Sequence, residues 1–314
     1  MIAFGSIPSR RLGASLGINN IPPKSCSYDC LYCQVGRTNN REFTSRSFYE
    51  VDQVVTAVQK RVREVEVNGV IDYLSFVPDG EPTLDVNLGR EIELLRKLPF
   101  KIAVITNGSM LGRESVRRSL ADVDLVSVKV DSVEEITWHK INRPHPFLKL
   151  SEILIGMEEF ARNFQGELIT ETMLLAGIND GEAQVKAVAE FLHKIRPSRA
   201  YIAIPTRPTA QKNLKVCDAE TLMRAYMIFK RYLDNVELLT GFSEEEYRAT
   251  GKPVDELLNI TAVHPMRRAE ALKLLENTGS AVEALDRLVE EGALLRIDHE
   301  GQIFFLRKHQ SVND

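Results

Sequence analysis

Apolar positions along the chain switch between two periods, and the switches predict its elements. Val51, Val54, Val55, Val58, Val62 and Val65 recur at steps of three and four, which places them on one face of a helix. Ser47 and Glu50 just before them have the spacing of a capping box, in which hydroxyl and carboxylate each satisfy a free backbone N–H. Asn68-Gly69 is expected to end this helix. Residues 70–77 then form a mostly apolar run with the length of a buried strand. The pattern continues with helix 85–98, strand 101–105, helix 113–121, strand 125–130, helix 148–164, strand 167–175, helix 181–195, strand 200–204 and helix 218–234. A first strand is expected near 15–19, and 142–146 reads as loop. Apolar strands alternating with helices imply an α/β protein, a parallel sheet covered by helices. About six such units fit before residue 235, fewer than the eight of a complete barrel.

Beyond 235 the pattern changes. Residues 236–252 read as a linker, with Ser243 and Glu246 spaced as a second capping box. Residues 253–314 then predict helices at 254–260 and 265–276, and a third opened by Ser280 that carries Leu285, Leu288 and Val289. Segments 294–297 and 303–306 flank a hairpin signal. Three helices followed by a hairpin resemble a winged helix-turn-helix. The expected division is 1–235, a linker, and a small winged-helix-like domain over 253–314.

Charge qualifies that picture. The whole chain carries a net −4, which disfavours non-specific nucleic-acid binding. Residues 253–314 hold seven Lys/Arg against eleven Asp/Glu. The expected recognition helix bears Glu283, Asp286, Glu290 and Glu291 with only Arg287, so DNA is an unfavourable partner for it. Residues 1–50 run the other way, with six Lys/Arg against three acids. That excess is either a solvated face or a surface for an anionic substrate or an electron donor. No signal peptide and no membrane span is expected. Free cysteines point to a reducing, cytoplasmic setting.

Three of the four cysteines, Cys26, Cys30 and Cys33, fall at C-x3-C-x2-C spacing, and Cys217 lies far along the chain. Three thiolates on one short loop can face a single soft centre. Three readings are open: an iron–sulfur cluster with one iron left free, a zinc site, or buried structural cysteines. Zinc sites usually add a second pair of Cys or His, and none lies near. The first reading is preferred.

C-x3-C-x2-C with Tyr32 before its last cysteine resembles the radical S-adenosylmethionine (SAM) superfamily. The resemblance implies a partial (β/α)6 barrel. It also implies a [4Fe-4S] cluster on Cys26, Cys30 and Cys33, whose open iron chelates SAM. One electron would cleave SAM to methionine and a 5′-deoxyadenosyl radical. Gly80-Glu81-Pro82 resembles the stretch that receives the SAM amino group, with Asp79 where that pattern often has Gly. Thr106-Asn107-Gly108 resembles a further ligand loop, with Asn107 on a polar edge of SAM. Lys129 is matched to the SAM carboxylate and Asp131 to ribose. Gly177–Asp180 and Pro205–Arg207 are placed near adenine or substrate. His139 and His145 are weaker substrate-site candidates, and Cys217 reads as a packed thiol.

Nearly the whole chain also resembles Fe–S oxidoreductases akin to wyosine synthases and activating enzymes. A substrate in tRNA or in protein or cofactor maturation is therefore expected, together with a reductase or ferredoxin-type electron donor. A redox sensor with a DNA-binding winged helix is the alternative.

Overall fold

Eight strands stand side by side in sequence order in a computed structural model that describes residues 1–9, 11–67, 69–239, 253–263, 266–276, 281–299 and 301–307. They are β1 (Ala3–Ser9), β2 (Gly13–Ile18), β3 (Tyr73–Phe76), β4 (Lys101–Thr106), β5 (Leu125–Lys129), β6 (Glu167–Met173), β7 (Arg199–Ala203) and β8 (Val236–Leu239). From β2 to β8 each strand is parallel to its neighbour, while β1 returns antiparallel on β2. Among the described residues β8 does not pair with β1, so the sheet is an open, partial barrel.

Helices α1 (Val51–Glu66), α2 (Leu88–Leu95), α3 (Glu114–Ser119), α4 (Glu135–Asn142), α5 (Leu150–Asn163), α6 (Glu182–Ile195) and α7 (Ala219–Lys230) connect the strands. The valine stripe of α1 does what its spacing requires: Val54, Val58, Val62 and Val65 are buried against the outer face of the sheet. The turn between β1 and β2 puts Leu12 among Ala103, Leu125, Ile169 and Tyr201. That small cluster closes the barrel at the end where the parallel strands begin.

Several expectations need correction. Ser47 and Glu50 form no capping box, because α1 starts at Val51 and the Glu50 side chain makes no cap bond. The Ser47 hydroxyl is engaged elsewhere, donating to the Tyr49 carbonyl at 3.4 Å and accepting from Asn87 at 2.8 Å. Helix 85–98 shortens to α2, since Pro82–Leu84 make a 3-10 turn and Asp85 stays extended. Residues 135–142, given no helix, form α4. Val236–Leu239, assigned to the linker, extends the main sheet as β8.

The C-terminal unit contains α8 (Pro253–Val263), β9 (Met266–Arg267), α9 (Arg268–Leu275), α10 (Ala281–Glu290), β10 (Leu294–His299) and β11 (Gln302–Arg307). β10 and β11 form the expected hairpin, and β9 joins it in the order β10–β11–β9. Leu257, Ile260, Met266, Leu274, Leu285, Leu288 and Phe305 make its core, with Ile7 of β1 packed against them. Arg61 ties the units together, donating to Gly5 O at 2.6 Å and to Glu256 Oε1 at 2.8 Å. The Ser243–Glu246 box and Ser280 lie outside the described residues, as does Asn68.

One acid in this framework costs stability. Glu91 on α2 is fully buried, and neither of its carboxylate oxygens has a hydrogen-bond partner. Burial, then the nearby charge of Asp85, raises its pKa from 4.5 to about 8. The folded state therefore keeps a proton that the unfolded chain releases. Stability should fall as pH rises through that interval. Glu91→Gln is expected to raise the melting temperature near pH ~8 and much less near pH ~5, with about 2–4 °C for each kcal/mol recovered. Equal gains at both pH values in thermal melts would refute the assignment.

Candidate iron–sulfur and SAM site

The cysteine loop leaves β2 at the end where the parallel strands finish, and backbone bonds hold it there. Leu31 N donates to Ile141 O at 2.9 Å and Asp29 N to Asn142 O at 3.0 Å, which fixes the loop on the end of α4. From the other side, Ala210 N donates to Cys33 O at 2.8 Å and Gln211 N to Leu31 O at 2.9 Å. Leu31 and Tyr32 fill a small apolar cluster with Ile141, Met173, Leu175 and Ala203. Apolar side chains at positions 31 and 32 therefore anchor the loop and leave its cysteines at the barrel mouth, partly exposed.

The thiols sense one another. Burial, then Cys30 and Glu81, push the Cys26 thiol well up. Burial, then Asp131, push up Cys30. Burial lifts Cys33 too, against the pull of the Lys24 ammonium. Two amides already point at these sulfurs: Asn107 Nδ2 lies 3.6 Å from Cys26 Sγ, and Asn142 Nδ2 lies 3.4 Å from Cys30 Sγ. Donors aimed at sulfur suit thiolates bound to iron, whose potential they tune. Among the described residues no three His, Cys, Asp or Glu side chains gather round one ion. Cys217 is remote, packed in the core with its Sγ 4.0 Å from Asp180 Oδ2, and burial raises its pKa to about 11. The donor set fits a cluster held by three thiolates.

The loops after β3 and β4 meet beside the cysteines. Gly80 sits against the base of the cysteine loop, where a Cβ would come within 2.0 Å of Ser25 O. Asp79, the departure from the family pattern, pairs with Lys24 at 3.6 Å. Glu81 is buried and accepts from Thr83 Oγ1 at 2.5 Å, Thr106 Oγ1 at 2.6 Å and Asn107 N at 2.7 Å. Burial still raises its pKa. Its carboxylate thus knits the two loops together. Gly108 has φ +76°, and a Cβ there would meet Met157 Cε at 2.3 Å.

Asp131 and Lys129 are engaged by protein groups. Asp131 accepts from Tyr32 OH, from Asn142 Nδ2 at 2.8 Å and from Met173 N at 2.9 Å. Lys129 pairs with Glu171, its register partner on β6, and lies 5.4 Å from the centre of the Tyr32 ring. Arg11, from the β1–β2 turn, reaches the other oxygen of Glu171. Burial would raise the Glu171 pKa, but the charges of Lys129 and Arg11 hold it down at about 2. Asn179 closes the end of β6, donating to Asp131 O at 2.9 Å and Met173 O at 2.8 Å. Gly177 N bonds Asp180 Oδ1 at 2.9 Å, a turn contact. Arg207 is buried. His139 pairs with Glu135 at 3.2 Å on α4. Sequence reasoning missed Glu171, Arg11 and Asn142 as parts of the site. A glutamate in the middle of a predicted buried strand was the signal for Glu171.

A family model described as the radical SAM superfamily matches residues 20–192. This chain belongs to that superfamily. A UPF0026 protein of Methanocaldococcus jannaschii is 44% identical over 312 residues, covering 99% of this chain and 97% of that protein. The GTP 3′,8-cyclase of Psychromonas ingrahamii is 26% identical over 161 residues, 49% of this chain and 43% of that enzyme. In structure, SuiB of Streptococcus suis bound to S-adenosylmethionine matches at TM-score 0.53 and 15% identity, over 71% of this chain and 50% of that one. A radical SAM methyltransferase from Sphaerobacter thermophilus matches at TM-score 0.52 and 18% identity, over 73% and 67%. These likenesses show the shared fold. Members of the superfamily are enzymes that use a [4Fe-4S] cluster and SAM, and the donor set of this radical SAM chain fits the cluster.

The amide contacts yield a test. Asn107→Ala removes the donor to Cys26 Sγ, so the cluster potential should become more negative with iron content unchanged. Redox titration followed by electron paramagnetic resonance measures it. An unshifted potential in the loaded variant would show that Asn107 does not tune the cluster.

Proposed function

We propose that the chain is a radical SAM enzyme that cleaves SAM reductively and acts on a substrate in tRNA or in protein or cofactor maturation. One observation carries this reading: three cysteines, the Gly80-Glu81 loop and the Asn107 loop share one barrel mouth, while the fourth cysteine is elsewhere. When bound, the cluster and SAM supply one electron and a 5′-deoxyadenosyl radical.

The chain's own residues hold and orient. Cys26, Cys30 and Cys33 are the iron ligands. Gly80 and Glu81 present backbone and carboxylate for the SAM ammonium, and Asn107 its amide. Tyr32 covers the site from the cysteine loop and is steadied by Asp131. Lys129 is the cation available to the SAM carboxylate, in exchange for part of its bond to Glu171. Asp131 positions Tyr32 through its carboxylate and, like the equally engaged Glu81, would meet SAM, at the ribose, by sharing part of its protein bonds. The acidic, winged-helix-like tail suits contact with protein or substrate better than with DNA. Among the described residues no contact favours the redox-sensor reading.

Cleavage is the test. Anaerobically loaded protein with SAM and dithionite should release 5′-deoxyadenosine, read by chromatography. Alanine at Cys26, Cys30 or Cys33 should abolish both bound iron and product, and Cys217→Ala should keep both. Glu81→Gln should weaken SAM binding at unchanged iron content. A fully loaded protein that never cleaves SAM would overturn the proposal.

A further inference from the structure

We propose that the aromatic and arginine patch beside the cysteine loop, built from Phe43, His145, Phe147, Arg41 and Arg113, is the docking surface for an acidic one-electron carrier protein. The inference rests on the radical SAM reading, which requires an electron to enter the cluster from outside.

The patch is wired to the cluster loop by its backbone. Glu42 N donates to Cys26 O and His145 N to Ser27 O, each at 2.8 Å. Phe43 and His145, the residues at or next to these bonds, stack with ring centres 5.5 Å apart. Phe147 stands edge-on to both, at 6.0 and 5.2 Å, and is 71% exposed. An exposed aromatic resting on two others contributes little to the core, and such residues are enriched in protein interfaces.

The charges around it are fixed and one-sided. Arg41 Nη1 donates to the carbonyls of Arg143 and Pro144 at 2.9 and 3.0 Å. Arg113 donates to Ser45 Oγ and Phe43 O, both at 2.8 Å, and lies 4.5 Å over the Phe43 ring. Neither guanidinium has a carboxylate within 4.0 Å among the described residues. Arg37, Arg46 and Arg143 lie nearby and share only Asp29 and Glu42. Two positive charges are therefore held in place without compensation, on a chain whose net charge is −4. A partner with an acidic face complements such a spot, and electron-transfer encounters need only a small interface. RNA would also meet arginine and aromatic groups, but nothing in RNA binding calls for attachment to the carbonyls of Cys26 and Ser27. In the step itself the carrier loses one electron, the oxidised cluster gains it, and no atom is transferred.

The experiment uses the full-length, cluster-loaded protein and reduced acidic [2Fe-2S] ferredoxin, with bleaching of the cluster absorption followed by stopped flow. Phe147→Ala and, separately, Arg41→Glu should slow reduction by ferredoxin about tenfold at low salt. Reduction by dithionite should keep its rate, and iron content should be unchanged. Added salt should slow the parent protein more than Arg41→Glu. Unchanged ferredoxin rates in both variants would overturn the proposal. So would equal slowing with both reductants, or loss of bulk tRNA binding with ferredoxin rates intact. Because the readout is cluster reduction, it stands even if SAM is never cleaved.

Discussion

Acidic groups crowded into one barrel mouth are the constraint on which this site depends. Cys26 lies in the field of Glu81, Cys30 in that of Asp131, and both acids are almost without solvent. Ionising the thiols there without a counter-charge would be costly, since burial disfavours every anion in the set. The protein supplies limited relief of its own. Lys24 acts on Cys33, Lys129 on Asp131, and two asparagine amides touch sulfur. Iron bound to the thiolates would remove the deficit, and a ligand carrying an ammonium group near Glu81 would ease that acid's burial. The architecture is thus electrostatically incomplete until cations arrive, which is what a metal and SAM site requires.

Just below the same mouth, Glu171 faces the opposite problem. There Glu171 is the lone acid between Lys129 and Arg11, and it remains ionised because the pair outweighs its burial. Arg11 comes from the β1–β2 turn, which also carries Leu12 into the lower cluster. A single hairpin therefore closes the floor and holds Glu171, which in turn holds Lys129 under the Tyr32 ring. Residues far apart in sequence set where that lysine sits. Its freedom to meet a carboxylate depends on how much of its bond to Glu171 it can share.

What could be read in the sequence divides along physical lines. The cysteine spacing and the strand-end loops are local patterns, and the structure brings Gly80, Glu81 and Asn107 to the cysteine loop. Long amphipathic runs such as α1 were equally plain. Short elements were not. α4 has eight residues with β-branched and aromatic side chains, and β8 has four residues of mixed exposure, so neither repeats its period often enough to be seen. β1 contains Gly5 and Pro8, and its partner is set by a turn rather than by composition. Asn142 was lost with α4. Glu171 was visible only as an odd acid, because its partners come from the neighbouring strand and from the far hairpin. The Ser47–Glu50 box failed for a similar reason: Asn87, distant in sequence, takes the hydroxyl.

The small C-terminal unit has a role that follows from the sheet. Among the described residues β1 pairs on one side only, and an unpaired strand edge invites association. α8 packs on β1, Ile7 enters the tail's core, and Arg61 binds Gly5 O and the buried Glu256 together. Glu256 is 4% exposed on its side chain, so removing Arg61 would take a cation from a buried acid as well as free the Gly5 carbonyl. The tail's acidity need not serve a nucleic acid at all. One acid is spent on the joint, and the acids along α10 keep a surface that repels polyanions. The tail therefore covers the outer side of β1, fastened there by Arg61, which bridges Glu64 on its own helix and Glu256 of the tail.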